Sequence, residues 1–477
     1  MKTETMFNKF TRIICLCTFL FFFIIDIKAE IKLPAIFGDN MVLQQQTDAA
    51  IWGKASPNKR VSVTTSWNRK SYSTTADNEG KWKLKVATPV AGGPYQITIS
   101  DGKMLKLNNV LIGEVWVCSG QSNMQMTLLG YKNQPILGAN KAIATSKNEN
   151  IRLFTVKRER SLEPMDDFTG DWKLCEPQNV ADFSAAAYFF GKMINEALDV
   201  PVGLICSSWG GTRIEPWMSE EKLKQFDWVE LPGDDLKEAQ HQTPTSLYNK
   251  MIHPMVGYAL RGGLWYQGEA NRNEPKEYEK LMPGLVENWR EVWDIGDFSF
   301  YYAQIAPYFY GKDALNSAFI REAQLKASTA IPNMGMVSLM DVGEEFCIHP
   351  ADKEVVGERL AYLALANTYG IKGFEWSGPV LKEMTVDGSI AKLTFDHATH
   401  GLTSYGKELE HFEIAGENQR FFPAKAFITG EGINVYSPSV GKPVAVRYAF
   451  KDFVVGDLFN TEGLPASSFR TDDWEIK

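Results

Sequence analysis

Cysteines at metal-binding spacing are missing from this chain. It has six, and no two are spaced C-x-x-C. Cys118, Cys175, Cys206 and Cys347 stand far apart, so a zinc cluster is not expected. They are also too sparse for a disulfide scaffold, which leaves either one bridge or buried free thiols. Positive charge is in short supply: 50 Lys+Arg against 58 Asp+Glu give a net charge of −8, which argues against a general nucleic-acid binder. There is no internal repeat and no low-complexity stretch. Histidine is scarce as well, with six in the chain. A search for a general base therefore has few places to look.

Apolar and aromatic residues are plentiful. At 44% apolar and 23% charged residues, global disorder is excluded. A length of 477 residues corresponds to about three domains. The 13 Trp, 17 Tyr and 28 Phe are a weak pointer to sugar handling, where aromatic faces are useful. The first 29 residues read as a secretory signal. Lys2, Lys9 and Arg12 precede an apolar run of 13 residues, Ile13 to Ile25, short of the ~20 needed to span a bilayer. Cleavage after Ala29 fits, although Ile27 is a poor −3 residue, so a retained anchor is the alternative. Cys15 and Cys17 lie inside the run and do not mark a lipoprotein. The expected mature protein is exported, acidic at −10, and not stably inserted in a membrane.

Three regions follow. Residues 30–107 alternate apolar and polar side chains in Val61–Trp67, Lys81–Val86 and Tyr95–Ile99, with turn signals between, and predict a small antiparallel sandwich. Residues 108–372 hold five nearly continuous apolar runs: Val110–Cys118, Val202–Ser208, Gly263–Tyr266, Phe298–Ile305 and Met334–Met340. Such runs suit parallel strands covered on both faces. Helical spacing over Phe183–Leu198 (behind Asp182), Tyr278–Trp293 and Lys353–Tyr369 completes an α/β pattern, whose site belongs at the strand C-terminal ends. Residues 373–477 return to a β pattern that either extends the sheet or joins the sandwich.

Four elements at those strand ends carry the chemistry. Ser119-Gly-Gln-Ser-Asn-Met124 places Ser122 two residues after a glycine, at a strand-to-helix turn where its own N–H can hold an oxyanion. Met124 replaces the second glycine of the α/β-hydrolase elbow. Ser207-Ser-Trp-Gly-Gly-Thr-Arg213 has paired glycines that let a backbone N–H approach a ligand. Trp265-Tyr-Gln-Gly-Glu-Ala-Asn271 offers Gln267 or Asn271 as a side-chain donor. Ile348-His-Pro350 supplies a histidine in the loop after the last apolar strand, and position selects His349 over His241, His253, His397, His400 and His411. Each element alone has an ordinary alternative as a turn, cap or loop-bracing amide. Their order along one sheet is what gives them weight.

With these residues the chain resembles the sialate O-acetylesterase family of the SGNH hydrolase superfamily. The matching stretches are Gly113–Met124, Trp209-Gly-Gly-Thr212 with Trp217, Trp265–Glu269 and Ile348-His-Pro350. Arg321-Glu-Ala-Gln324 and Gly357-Glu-Arg-Leu360 also fit, as do the opening Phe37–Met41 and the ending Gly463–Phe469, so the resemblance covers nearly the whole mature chain. It implies a flavodoxin-like three-layer α/β/α domain with a parallel five-stranded sheet, beside accessory β-rich regions.

It also implies that Ser122 is the nucleophile and His349 its base. The oxyanion hole would be the N–H of Ser122, that of Gly211 (or Gly210), and the Gln267 side chain, with Asn271 a weaker candidate. Many SGNH enzymes have an aspartate three residues before the histidine; here that residue is Phe346. Asp341 is favoured as the group orienting His349, with Glu269, Glu344, Glu345 or a backbone carbonyl as alternatives. The implied reaction removes an acetyl ester from a sugar, without metal or cofactor. O-acetylated sialic acid is the implied substrate; Arg213, Arg272 and Arg321 would meet its carboxylate, and Trp209 or Trp217 would stack on the ring. An esterase for acetylated xylan or another glycan, and a non-catalytic carbohydrate-binding protein, are the alternatives. Activity is expected to fall below about pH 6 as His349 protonates.

Overall fold

The computed structural model describes residues 31–233, 235–311 and 315–474. The expected signal segment lies outside them. Among the described residues no helix is long and apolar enough to cross a membrane.

The central sheet grows from the apolar runs. Its strands lie in the order Met334–Val337, Ser299–Ala303, Gly262–Tyr266, Met104–Gly120, Val202–Ser208, Asn148–Thr155 and Trp172–Cys175. The first six are mutually parallel and the last is antiparallel. Five parallel strands were expected. The sixth, Asn148–Thr155, was missed because its first three residues are polar and its apolar stretch is short.

Alternate residues of the central strand enter two different cores. Val115 and Val117 pack with Trp265, Trp289 and Phe300 on one face. Trp116 and Cys118 pack with Phe190, Leu204 and Tyr266 on the other. Helices Ala185–Leu198 and Lys353–Asn367 contribute to that second core, and helix Pro275–Trp293 to the first. Fully burying an apolar side chain of this size contributes about 1.5–3 kcal/mol. Trp116→Ala is accordingly expected to cost about 3–5 kcal/mol. Helix Ala185–Leu198 is capped by Ser184, whose Oγ accepts from Ala187 N–H at 3.2 Å, so Asp182 is not the cap.

The boundary expected at residue 107 falls inside one continuous strand. Met104–Gly120 pairs antiparallel with Gly92–Ser100 of the N-terminal β region and parallel with Val202–Ser208 of the central sheet. The C-terminal β region neither extends this sheet nor joins the N-terminal strands. It builds its own sheets, Val380–Asp387 with Ile390–Asp396 among them, around a core of Leu393, Ile414, Val446 and Tyr448. Among the described residues, Cys118, Cys175, Cys206 and Cys347 are free thiols.

Candidate active site

The turn carrying Ser122 is fixed from beneath. Ser122 opens the short helix Ser122–Gln125 and is half-buried. Gly120 must be glycine for two reasons: its φ is +131°, and a Cβ there would lie 2.2 Å from Tyr266 O. Gln121 N–H donates to that same oxygen at 2.9 Å. Gln121 Oε1 accepts from Gly268 N–H at 3.4 Å and Ala270 N–H at 3.3 Å. The first and third loops are thereby joined.

The second loop comes against Ser122. A Cβ built on Gly210 would sit 3.2 Å from Ser122 Cβ. The Gly210 N–H already donates to Gln125 Oε1 at 2.7 Å. Gly211 has a φ of +74°, and a Cβ there would meet nothing within 4 Å, so it borders open space. Of the two amides, Gly210's is thus already committed, and Gly211 has open space beside it.

Gln267 departs from expectation. It is buried, and its Nε2 donates to Thr212 O at 3.1 Å and Asn271 Oδ1 at 2.8 Å. Both amide hydrogens are engaged, so Gln267 braces the second loop against the third instead of facing a substrate. Asn271 is engaged too: Oδ1 also accepts Ile214 N–H at 3.0 Å, and Nδ2 donates to Glu215 Oε2 at 3.2 Å.

His349 finds a partner that sequence reasoning missed. Its Nδ1 lies 2.6 Å from Gln134 Oε1. An amide oxygen can only accept, so Nδ1 carries the proton and Nε2 keeps the lone pair that a general base needs. The Tyr131 ring meets the imidazole edge-on at 5.0 Å, and its hydroxyl donates to Ser122 O at 3.0 Å. Asn123 Nδ2 donates to Ile348 O at 3.1 Å, tying the residue after Ser122 to the residue before His349.

Asp341 does not orient the histidine. Arg359 holds its two oxygens with Nη1 at 2.7 Å and Nη2 at 2.6 Å. The last strand ends at Val337, so Asp341 lies in the turn beyond it and not at the strand end as expected, and it faces the arginine of the following helix. Glu269 is bonded to Asn123 Nδ2 at 2.6 Å, and Glu344 accepts Ala351 N–H at 2.7 Å. Glu345 and Phe346 are exposed.

Among the proposed substrate contacts, Arg321 is misplaced. It is wholly buried and donates to Ser468 Oγ at 3.1 Å and to Lys451 O, anchoring the C-terminal β region. Arg213 is held between Glu215 and Glu274. Arg272 lies 4.2 Å from the centroid of the Tyr310 ring and is part-exposed. Trp209 is half-buried and stacks on His241 at 5.7 Å. Trp217 is core, with Nε1 on Thr212 Oγ1 at 3.1 Å.

Burial, with the Lys353 ammonium second, pulls the His349 imidazole down to about 4. The expected acid limb near pH 6 therefore moves lower. The imidazole is then mostly neutral down to about pH 5.

A half-buried serine turn tied to a histidine loop, at the ends of mutually parallel strands, makes a candidate hydrolase site. The family described as carbohydrate esterase, sialic acid-specific acetylesterase, matches residues 112–365. The chain is 30% identical to the mouse (Mus musculus) sialate O-acetylesterase, over 87% of this chain and 89% of that protein. With the human protein of the same name it shares 28% identity, over 88% and 87% respectively. The crystal structure of XAC1771, a carbohydrate acetylesterase from Xanthomonas citri, superposes with a TM-score of 0.86 at 35% identity, covering 93% of this chain and all of that one. The chain belongs to the sialate O-acetylesterase family, and is an ester hydrolase.

Proposed function

We propose that this enzyme hydrolyses O-acetyl esters on sugars through an acetyl-serine intermediate, and that it acts after export. Ser122 Oγ attacks the acetyl carbonyl while His349 Nε2 takes its proton. The carbonyl oxygen, now an anion, rests against the N–H groups of Ser122 and Gly211, each worth about 3 kcal/mol if well aimed. His349 returns the proton to the departing sugar oxygen; water then attacks the acyl-serine by the same route and releases acetate. One observation carries this reading: Gln134 fixes the His349 tautomer at 2.6 Å on a loop hydrogen-bonded to the residue beside Ser122.

O-acetylated sialic acid is the substrate that the family and its mammalian relatives suggest. Arg272, stacked on Tyr310, is the arginine left to meet a sialate carboxylate. That Arg213 and Arg321 are already committed favours a second reading, an acetylesterase for neutral glycans such as acetylated xylan. The non-catalytic alternative is set aside by membership of an ester-hydrolase family. Acetate release from acetylated sialic acid and acetylated xylan, by wild type and Ser122→Ala, tests both. Release no greater than the variant's from either ester would end the proposal, and the ratio of the two rates assigns the sugar.

A further inference from the structure

The steps above leave the buried ions beside the nucleophile without a role. Lys353 opens the helix after His349 and is 0% exposed. Its Nζ donates to Asn123 Oδ1 at 2.8 Å and to Pro350 O at 2.7 Å, and lies 5.7 Å from the Tyr266 ring centroid. The other end of the Asn123 amide donates to Glu269 Oε1 at 2.6 Å and to Ile348 O at 3.1 Å. Glu269 is also buried, and its Oε2 has no partner. One amide thus joins a buried cation, a buried anion, the turn carrying Ser122 and, directly or through Lys353, the carbonyls on both sides of His349.

Burying two ions is costly, and apolar residues of similar volume are often as stable or more so. A mere tether would need no charge. The groups facing Lys353 are Glu269 across Asn123, Tyr266 from the strand, and Glu344, Cys347, His349 and Asp352 from its own loop. An ammonium among them opposes a second positive charge on the neighbouring imidazole, and the Glu269 carboxylate offsets the ammonium.

We propose that Glu269, Asn123 and Lys353 form a buried strut of positioning residues that fixes the His349 loop against the Ser122 turn and keeps the imidazole unprotonated. It rests on the Ser122–His349 reading above. Burial lowers Lys353 to about 7, so it is mostly charged below about pH 6, in the lower part of the range in which His349 would otherwise titrate. Burial also raises the Glu269 carboxyl, opposed by its bond from Asn123 and by Lys353.

The test is the pH dependence of kcat/KM for a small acetyl ester such as p-nitrophenyl acetate. Lys353→Met should lower kcat about 100-fold, the size expected of a misplaced catalytic group. KM should stay within about twofold, and the acid limb should move to higher pH. Lys353→Arg, which keeps the charge, should leave the limb in place. A limb unmoved in Lys353→Met, or kcat per folded molecule within about threefold of wild type, overturns the strut. Should Lys353→Met fail to fold, Asn123→Ala cuts the same strut, and the same loss in kcat at constant KM is required of it. Wild type run in parallel separates the two proposals: an inactive wild type refutes the esterase mechanism, and an active one with unaffected variants refutes the strut.

Discussion

The depressed basicity of His349 can be read directly in a rate profile. An imidazole at its ordinary value near 6.5 would be neutral in only about 3% of molecules at pH 5. At about 4, where burial and then Lys353 place it, roughly 90% would be neutral at that pH. The sign is therefore an extension of activity into acid: kcat/KM at pH 5 should be close to its value at pH 7, some 30-fold above what an unperturbed histidine allows. Initial rates of p-nitrophenyl acetate hydrolysis between pH 3.5 and 8, at constant ionic strength, measure this. The fold must be followed by circular dichroism, because linkage works against it. Between about pH 6.5 and 4 the unfolded chain binds a proton at this histidine that the folded chain does not, so stability falls as pH falls through that window. Activity at pH 5 below about a tenth of the plateau, with the spectrum unchanged, would show that His349 is not the neutral buried base described here.

Other consequences are as direct. Gln134→Leu removes the acceptor that sets the tautomer and should lower kcat about 10- to 100-fold with the melting temperature little changed; unaltered kcat would dismiss Gln134 as the orienting group. Asp341→Asn breaks the Arg359 ion pair and should cost about 2 kcal/mol in thermal unfolding while kcat stays within about threefold. A collapse of kcat at full stability would return Asp341 to the catalytic set. Gly211→Ala meets no steric obstacle, so its effect is conformational: a left-handed residue costing about 1 kcal/mol and an amide turned away, with kcat down about 100-fold. Wild-type kcat in that variant would move the second oxyanion donor elsewhere.

What could be read in the residue order was whatever a local pattern encodes. Apolar runs such as Val202–Ser208 mark strands buried on both faces, and that strand has the expected limits. Gly120 before Ser122 signals a tight turn because only glycine tolerates both the dihedral and the contact with Tyr266 O. Partners set by the fold left no such trace. Gln134 lies in an irregular stretch and reaches His349 across 215 positions. The apolar run Met334–Met340 suggests a strand that reaches Asp341, but the strand stops at Val337, and Arg359 in the next helix claims the carboxylate. Arg321 sits within a family motif, yet its neighbours come from residues 451 to 468, beyond any local signal. An acid is expected beside a catalytic histidine by habit; here a neutral amide stands there, and no periodicity announces an amide.

The strand Met104–Gly120 ties the N-terminal β region to the turn that carries Ser122. Its first half is an edge partner for Gly92–Ser100, and its last residue delivers the chain to Ser122. Val42–Gln44 adds a parallel neighbour at Leu111–Gly113. A shortened enzyme beginning near residue 108 would leave a bare hydrogen-bonding edge just upstream of the reactive hydroxyl, free to fray or to recruit a second molecule. What resembles an appended module thus covers the edge of the strand that leads to Ser122, and trimming it should yield aggregation before it yields a minimal esterase.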